Sequence, residues 1–257
     1  MLAPRVIPVL QIDRRRLVKT VRFGDARYVG DPINAVRIFN RKEVDELILV
    51  DITATTDGRE PQFDFIQEIV SEAFMPVCYG GGVTSVAQME RLFKLGVEKV
   101  SLGSAAATQR GLVTDAARIF GSQSVVVCID HKHKLFGGPK VVTQRGRHEQ
   151  AQAPADFACA MEDAGAGELI LQSVDRDGTM KGYDLPMLAD VAARVRTPVV
   201  ACGGAGSLND FTAAIRVGAA GVAAGSLFVF QGKLRAVLIS YPSREELARL
   251  ATSGRLQ

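Results

Sequence analysis

Pro76-Val-Cys-Tyr-Gly-Gly-Gly82 and Pro198-Val-Val-Ala-Cys-Gly-Gly204 are the two stretches that decide the fold. Each is a short apolar run closed by glycines, the pattern of a buried strand that ends in a tight turn. Two further pairs keep the same spacing. Glu46-Leu-Ile-Leu49 returns as Glu168-Leu-Ile-Leu171, and Gly103-Ser104 returns as Gly225-Ser226. All three pairs are 122 positions apart (46 to 168, 76 to 198, 104 to 226). One ungapped register points to a duplicated unit rather than to chance likeness among strands.

Working outward, apolar runs alternate with amphipathic stretches along the whole chain. The runs predict strands over Arg5–Gln11, Glu46–Asp51, Pro76–Gly80, Lys99–Leu102, Ser124–Asp130, Glu168–Ser173, Pro198–Cys202 and Gly221–Ala224. They are nearly continuous in hydrophobicity, as parallel strands covered on both faces are. Between them the helical period marks Ile33–Glu43, Phe63–Ala73, Val86–Leu95, Pro154–Ala164, Pro186–Arg194 and Leu208–Val217. Pro154 and Pro186 suit a first helical position, where no N–H is required. Eight βα units in two similar halves, about 1–120 and 121–257, predict one α/β domain over 1–257. That domain is a (β/α)8 TIM barrel, because closure leaves no sheet edge to protect. Asp13–Asp31 is too long for a tight βα connection and reads as a mobile active-site loop. His131–Arg147 reads as a small hairpin on the same face.

Bulk properties exclude several classes. With 31 basic and 28 acidic residues the net charge is +3, too weak for a nucleic-acid binder but compatible with a local anion site. The N-terminal apolar stretch is cut by Pro4, Arg5 and Pro8, so neither a signal peptide nor a membrane span is expected. Cys78, Cys128, Cys159 and Cys202 form no C-x-x-C pair and read as reduced thiols of a cytoplasmic protein.

In such barrels the chemistry sits at the carboxyl ends of the strands. Gly81, Gly82, Gly103 and Ser104 fall there in the first half, and Gly203, Gly204, Gly225 and Ser226 in the second. Glycine lets backbone N–H groups approach an anion, and the serines add hydroxyl donors. Two such cups predict a ligand phosphorylated at both ends. Gly178 belongs to the same set. Asp51, Asp130, Asp175 and Asp177 are candidate acid–base or substrate-binding groups. Asp130 stands out because it closes Val-Val-Val-Cys-Ile without an evident capping duty. Lys19 is expected to clamp a phosphate when the loop closes. Arg5, Glu46, Lys99 and Glu168 begin strands at the opposite end, as a salt-bridge ring or a polar gate.

These residues resemble the cyclase subunit of imidazole glycerol phosphate synthase, HisF. The resemblance is carried by Arg5-Val-Ile-Pro, Gly30-Asp-Pro, Asp45-Glu-Leu, Asp51-Ile-Thr, Gly80-Gly-Gly, Phe120-Gly-Ser-Gln and Ile129-Asp. It continues through Gly165-Ala-Gly-Glu168, Asp175-Arg-Asp-Gly-Thr179 and Gly203-Gly-Ala-Gly206. It implies a lyase subunit of an amidotransferase complex, with no cofactor and no metal. Ammonia from a separate HisH-like glutaminase enters between Arg5, Glu46, Lys99 and Glu168. It meets a bisphosphorylated ribulosyl-formimino nucleotide at the other mouth, in histidine biosynthesis. The chain carries no glutaminase sequence of its own, so a partner is implied. The phosphoribosyl isomerase of the same pathway shares the half-barrel repeat, so the fold alone does not exclude it.

One departure bears on catalysis. The family uses two aspartates, at the ends of strands one and five; the second matches Asp130, and the first falls on Gln11. Glutamine hydrogen-bonds but cannot shuttle a proton near neutral pH. Losing such a group slows a reaction ~10²–10⁴-fold, unless Asp13 or a water replaces it. Gly103 also stands where the family usually has asparagine. The WbuZ-type proteins of surface-polysaccharide clusters resemble the chain more closely. The shared stretches are Gly30-Asp-Pro-Ile-Asn-Ala, Arg37-Ile-Phe-Asn, Lys42-Glu-Val-Asp-Glu-Leu-Ile-Leu, Cys78-Tyr-Gly-Gly-Gly and Leu135-Phe-Gly-Gly. That subgroup also lacks the first aspartate. It implies ammonia delivery to a sugar amidotransferase in lipopolysaccharide biosynthesis.

Overall fold

The computed structural model describes residues 4–134, 137–232 and 234–253, so Met1–Ala3 and the Leu135-Phe pair of the Leu135-Phe-Gly-Gly stretch lie outside the described residues. Eight parallel strands close into a barrel. They are β1 (Arg5–Asp13), β2 (Leu47–Asp51), β3 (Val77–Gly80), β4 (Lys99–Leu102), β5 (Val125–Lys132), β6 (Glu168–Ser173), β7 (Val199–Cys202) and β8 (Gly221–Ala224). Each pairs with the next, and β8 returns to β1 with Arg5 opposite Gly221 and Pro8 opposite Ala224. The predicted strands stand to within a residue or two at their ends.

Eight longer helices surround the strands: α1 (Pro32–Arg41), α2 (Phe63–Val70), α3 (Val86–Lys94), α4 (Arg110–Phe120), α5 (Pro154–Asp163), α6 (Leu185–Arg194), α7 (Leu208–Arg216) and α8 (Arg244–Ser253). Their starts follow capping chemistry. Asp31 accepts the Asn34 N–H at 2.8 Å ahead of Pro32, and Ser85 accepts that of Gln88 at 3.3 Å. Ser207 and Asp210 form a reciprocal capping box. Ser85 and Ser207 keep the spacing of the repeat, so duplication extends to the caps. Pro186 sits at the second helical position, not the first, because Asp184 is the cap and Leu185 opens the helix.

The main core lies between strands and helices, with Phe39, Ile66, Met89, Val113, Leu188 and Phe211 essentially inaccessible. A second, smaller apolar cluster fills the barrel itself: Ile7, Ile48, Cys78, Val126, Ile170 and Val200. These side chains line the barrel interior with apolar surface. The four cysteines are free thiols.

Two expectations change. Asp13–Asp31 is not a loose loop. Arg16–Lys19 runs antiparallel to β1, with Gln11 opposite Val18, and pairs in turn with Arg27–Gly30. Leu17 and Val18 must be buried, and strand pairing does that while satisfying their backbone groups. Likewise Asp130 does not end β5, which continues to Lys132 and turns into a hairpin with Lys140–Thr143 and His148–Glu149. The expected hairpin is therefore an extension of a barrel strand. Gln11 and Asp130 thus occupy like places, each on the first strand of a half, just before an antiparallel ribbon.

Candidate functional site

At the amino-terminal end, Arg5, Glu46, Lys99 and Glu168 meet as a closed ring. Arg5 donates to both glutamates, and the Lys99 ammonium reaches Glu46 at 2.9 Å and Glu168 at 2.8 Å. Both glutamates are buried. Burial acts to lower the Lys99 pKa, but the attraction of Glu168 and then Glu46 overrides it and raises the value. Arg5 behaves in the same way.

At the carboxyl-terminal end lie two neighbouring cavities with lining residues in common, one for each predicted cup. The first is an open cleft enclosing about 1080 Å³, mouth included; Asp51, Gly81, Gly82, Gly103, Ser104 and Asp130 line it. The second encloses about 390 Å³ beside Lys19, Asp177, Gly178, Gly203, Gly204 and the Gly225-Ser226 pair. Gln11 borders both. Every residue predicted for the two cups therefore reaches its own cavity.

The glycines have a second reason to be glycine. A Cβ on Gly81 would come within 2.3 Å of the Asp51 carbonyl, and one on Gly178 within 2.2 Å of the Thr20 carbonyl; both have positive φ. Their identity thus reports backbone crowding as much as anion binding. Gly103 differs, since a Cβ there meets nothing nearer than 3.9 Å.

Lys19 lies in a strand, not on an open loop. It is already buried, its ammonium donates to the Val9 carbonyl at 2.6 Å, and it stands against Gly225 in the second cavity. Burial pushes its pKa down to about 8 against the attraction of Asp177. Asp177 is itself raised by burial, with Lys19, Thr20 and Gln172 opposing. Its carboxylate accepts from the Thr20 hydroxyl at 3.1 Å and from Gln172 Nε2 at 3.3 Å.

Asp130 lies at the cleft, half-buried, with the Cys128 thiol 3.5 Å away as its hydrogen-bond donor. Burial lifts its pKa to about 7; the thiol opposes the rise and Asp177 adds to it. A carboxyl poised there can give and take protons near neutrality. Gln11 accepts the Thr20 N–H at 3.3 Å through its carbonyl oxygen.

Three candidates are held by protein partners. Asp13 holds Arg16 at 3.0 Å and the Thr53 hydroxyl at 3.2 Å and lines neither cavity. Asp51 accepts the N–H groups of Thr53 and Ala54 at 3.0 and 2.9 Å, fixing the turn after β2. Asp175 faces away from both cavities and accepts the His133 N–H at 2.7 Å.

Sequence reasoning missed Thr20, Gln172 and Arg145. Gln172 carried a signal: it is a polar residue inside an otherwise apolar strand. Arg145 carried none, since only the hairpin brings it over the first cleft, where it donates to the Phe23 and Gly24 carbonyls at 3.0 and 2.9 Å. The two ribbons thereby meet above the mouth.

Comparison with known proteins gives a consistent result. The model of the family described as "Histidine biosynthesis protein" matches residues 5–235. A Pseudomonas aeruginosa protein named "Putative imidazole glycerol phosphate synthase subunit hisF2" is 50% identical over 248 residues, 96% of this chain and 99% of its own. The Vibrio vulnificus protein named as subunit hisF3, under the same qualifier, is 48% identical over 96% of this chain and 95% of its own. The imidazole glycerol phosphate synthase subunit HisF of Kineococcus radiotolerans is 40% identical over 89% of this chain and 91% of its own.

Proposed function

This chain belongs to the histidine biosynthesis protein family, among the imidazole glycerol phosphate synthase HisF subunits, and on that premise we propose that it accepts ammonia from a HisH-like glutaminase and binds a bisphosphorylated ligand. Ammonia enters at the charged ring, passes the apolar interior and emerges between Asp130 and Gln11. The observation that carries this reading is the alignment of three features along one axis: a buried ring of two cations and two carboxylates, an apolar interior, and paired cavities at the far mouth. In this reading the Lys19 ammonium, which lines the second cavity, takes one phosphate. The first offers Ser104, Gly103 and Arg145 for the other.

With Gln11 at the family's first acid–base position, Asp130 works without its partner. We therefore assign the chain a WbuZ-type role: ammonia is handed on for sugar amidation in surface-polysaccharide biosynthesis, in the cytoplasm. The test is an ammonium-dependent cyclisation assay with the bisphosphorylated ribulosyl-formimino substrate. Turnover should lie ~10²–10⁴-fold below that of the Gln11→Asp variant. Equal turnover of the two proteins, at a rate typical of this family, would overturn the assignment.

One observation favours the alternative, a working cyclase of histidine biosynthesis. Asp177 is a second carboxyl with a raised pKa, close enough to Asp130 to influence its titration. If it supplies the missing proton relay, Asp177→Asn abolishes turnover that Gln11→Asp does not increase.

A further inference from the structure

Beyond Asp130, β5 continues as His131-Lys-His133. Side chains alternate along an extended strand, so the two histidines share the face opposite Asp130. That face is the outside of the barrel, toward the start of α6. There His131 borders a small cavity with Ser173, Tyr183 and Asp184.

Asp184 has two oxygens with different duties. Oδ1 accepts the Met187 N–H at 3.5 Å as the α6 cap. Oδ2 lies 2.5 Å from His133 Nε2 and 3.9 Å from His131 Nδ1. One ligand atom from each of the three side chains falls within 4.8 Å of the others, and among the described residues no other group of three His, Cys, Asp or Glu converges in this way.

The second observation is independent. His131 is only 1% exposed, yet neither ring nitrogen has a hydrogen-bond partner. Ser173, the Cα partner of His131 across β5 and β6, is equally buried and its hydroxyl is also unpaired. Buried polar groups are nearly always satisfied, and exceptions call for a water or an ion. Here two such side chains border one small cavity beside a carboxylate oxygen.

We propose that His131, His133 and Asp184 bind a divalent transition-metal ion of the zinc class. Two imidazoles and a carboxylate are the ligands of open zinc sites, with one position left for water. Magnesium and calcium prefer oxygen ligands and are disfavoured. Zinc–ligand bonds of about 2.0–2.2 Å in tetrahedral geometry put ligand atoms roughly 3.3 Å apart. The observed 2.5 and 3.9 Å separations bracket that value and the third is at most 4.8 Å, so seating the ion requires His133 to move off Asp184 and His131 to move toward it. The unpaired Ser173 hydroxyl is available to a metal-bound water. Arg22, Lys134, Arg176 and Lys181 border the His133 side and limit affinity; Asp175 there partly offsets them. The ion would tie the base of the β5 hairpin to α6. That hairpin carries Arg145 over the first cleft, so the site would stiffen one wall of the mouth without touching Asp130.

The test uses the full chain, untagged and stripped with chelator, titrated with Zn²⁺ and with Co²⁺. One equivalent of Co²⁺ should bind with visible absorption of a four- or five-coordinate ion, and Zn²⁺ should raise the melting temperature. His133→Ala and Asp184→Asn should each weaken binding by more than the roughly 10–100-fold that loss of an outer-shell partner costs. The His133 side chain is half-exposed and Asn keeps a capping oxygen, so both variants should melt like the parent in chelator. If His133→Ala lowers that melting temperature, Asp184→Asn supplies the decisive comparison. His148→Ala, altering the remaining histidine, should bind normally. Absence of saturable binding, or binding that survives both ligand substitutions, overturns the proposal.

Discussion

At the amino-terminal end of the barrel, Arg5 and Lys99 each pair with both Glu46 and Glu168, whereas at the carboxyl-terminal end Asp130 and Lys19 are enclosed without an ion pair among the described residues. Both ends take charge out of water, which is costly. The ring offsets the cost internally, and its cations are held firmly protonated. The opposite mouth leaves it outstanding, and there the pKa values move toward neutrality: Asp130 up to about 7, Lys19 down to about 8. A self-satisfied cluster can gate or stabilise. An unsatisfied one is ready for a charged ligand.

The sharpest way to break this contrast is to unbalance the ring. Lys99→Met leaves two buried carboxylates sharing Arg5 and should cost about 3 kcal/mol in chemical denaturation. Replacing all four ring residues by apolar side chains of similar volume should recover most of that. Equal damage from both changes would mean that the ring is held for reasons other than pairing.

At the other mouth, removing charge should help folding and harm binding. Lys19→Met should weaken binding of the bisphosphorylated ligand about ten- to a hundred-fold, the worth of hydrogen bonds to a charged group, in calorimetric titration. The pH dependence follows from the direction of the Asp130 shift. Its folded pKa lies above the unfolded value, so its contribution to stability is fully present below about pH 4 and is lost as pH rises through about 7. Asp130→Asn should therefore melt higher than the parent at pH 8, and the difference should shrink toward pH 5. A constant difference across that range would contradict a half-buried carboxyl held without an ion pair.

The smallest effect is expected at Gly103. Its open surroundings predict that Gly103→Ala changes stability by less than about 0.5 kcal/mol. Gly178→Ala, aimed at the Thr20 carbonyl, should be strongly destabilising. Similar melting temperatures for the two variants would show that the cup glycines are not held by backbone crowding.

The barrel was legible in the residues because duplication is a matter of spacing. Glu46 and Glu168, Pro76 and Pro198, Ser104 and Ser226 fix six of the eight strands and place glycines at one mouth before any contact is known. Gln11 and Asp130 were legible because each closes an apolar run, although both strands continue for two residues beyond them. What Lys19 does was not. The polar, basic segment around it reads as a loop, and only the pairing of Leu17 and Val18 with β1 turns it inward.

The sequence by itself determined the closed barrel and the placing of two glycine-lined rims at one mouth, because local periodicity and repeat spacing specify which face each residue takes; the reading of Gln11 as the counterpart of an acid–base aspartate rests on the resemblance to the HisF family. Only the tertiary structure decided which charges are paired, that Asp13 and Asp175 lie outside the cavities, and that His131, His133 and Asp184 converge. Those outcomes depend on distances between strands, helices and ribbons far apart in the chain, and no pattern along the chain encodes a distance across it.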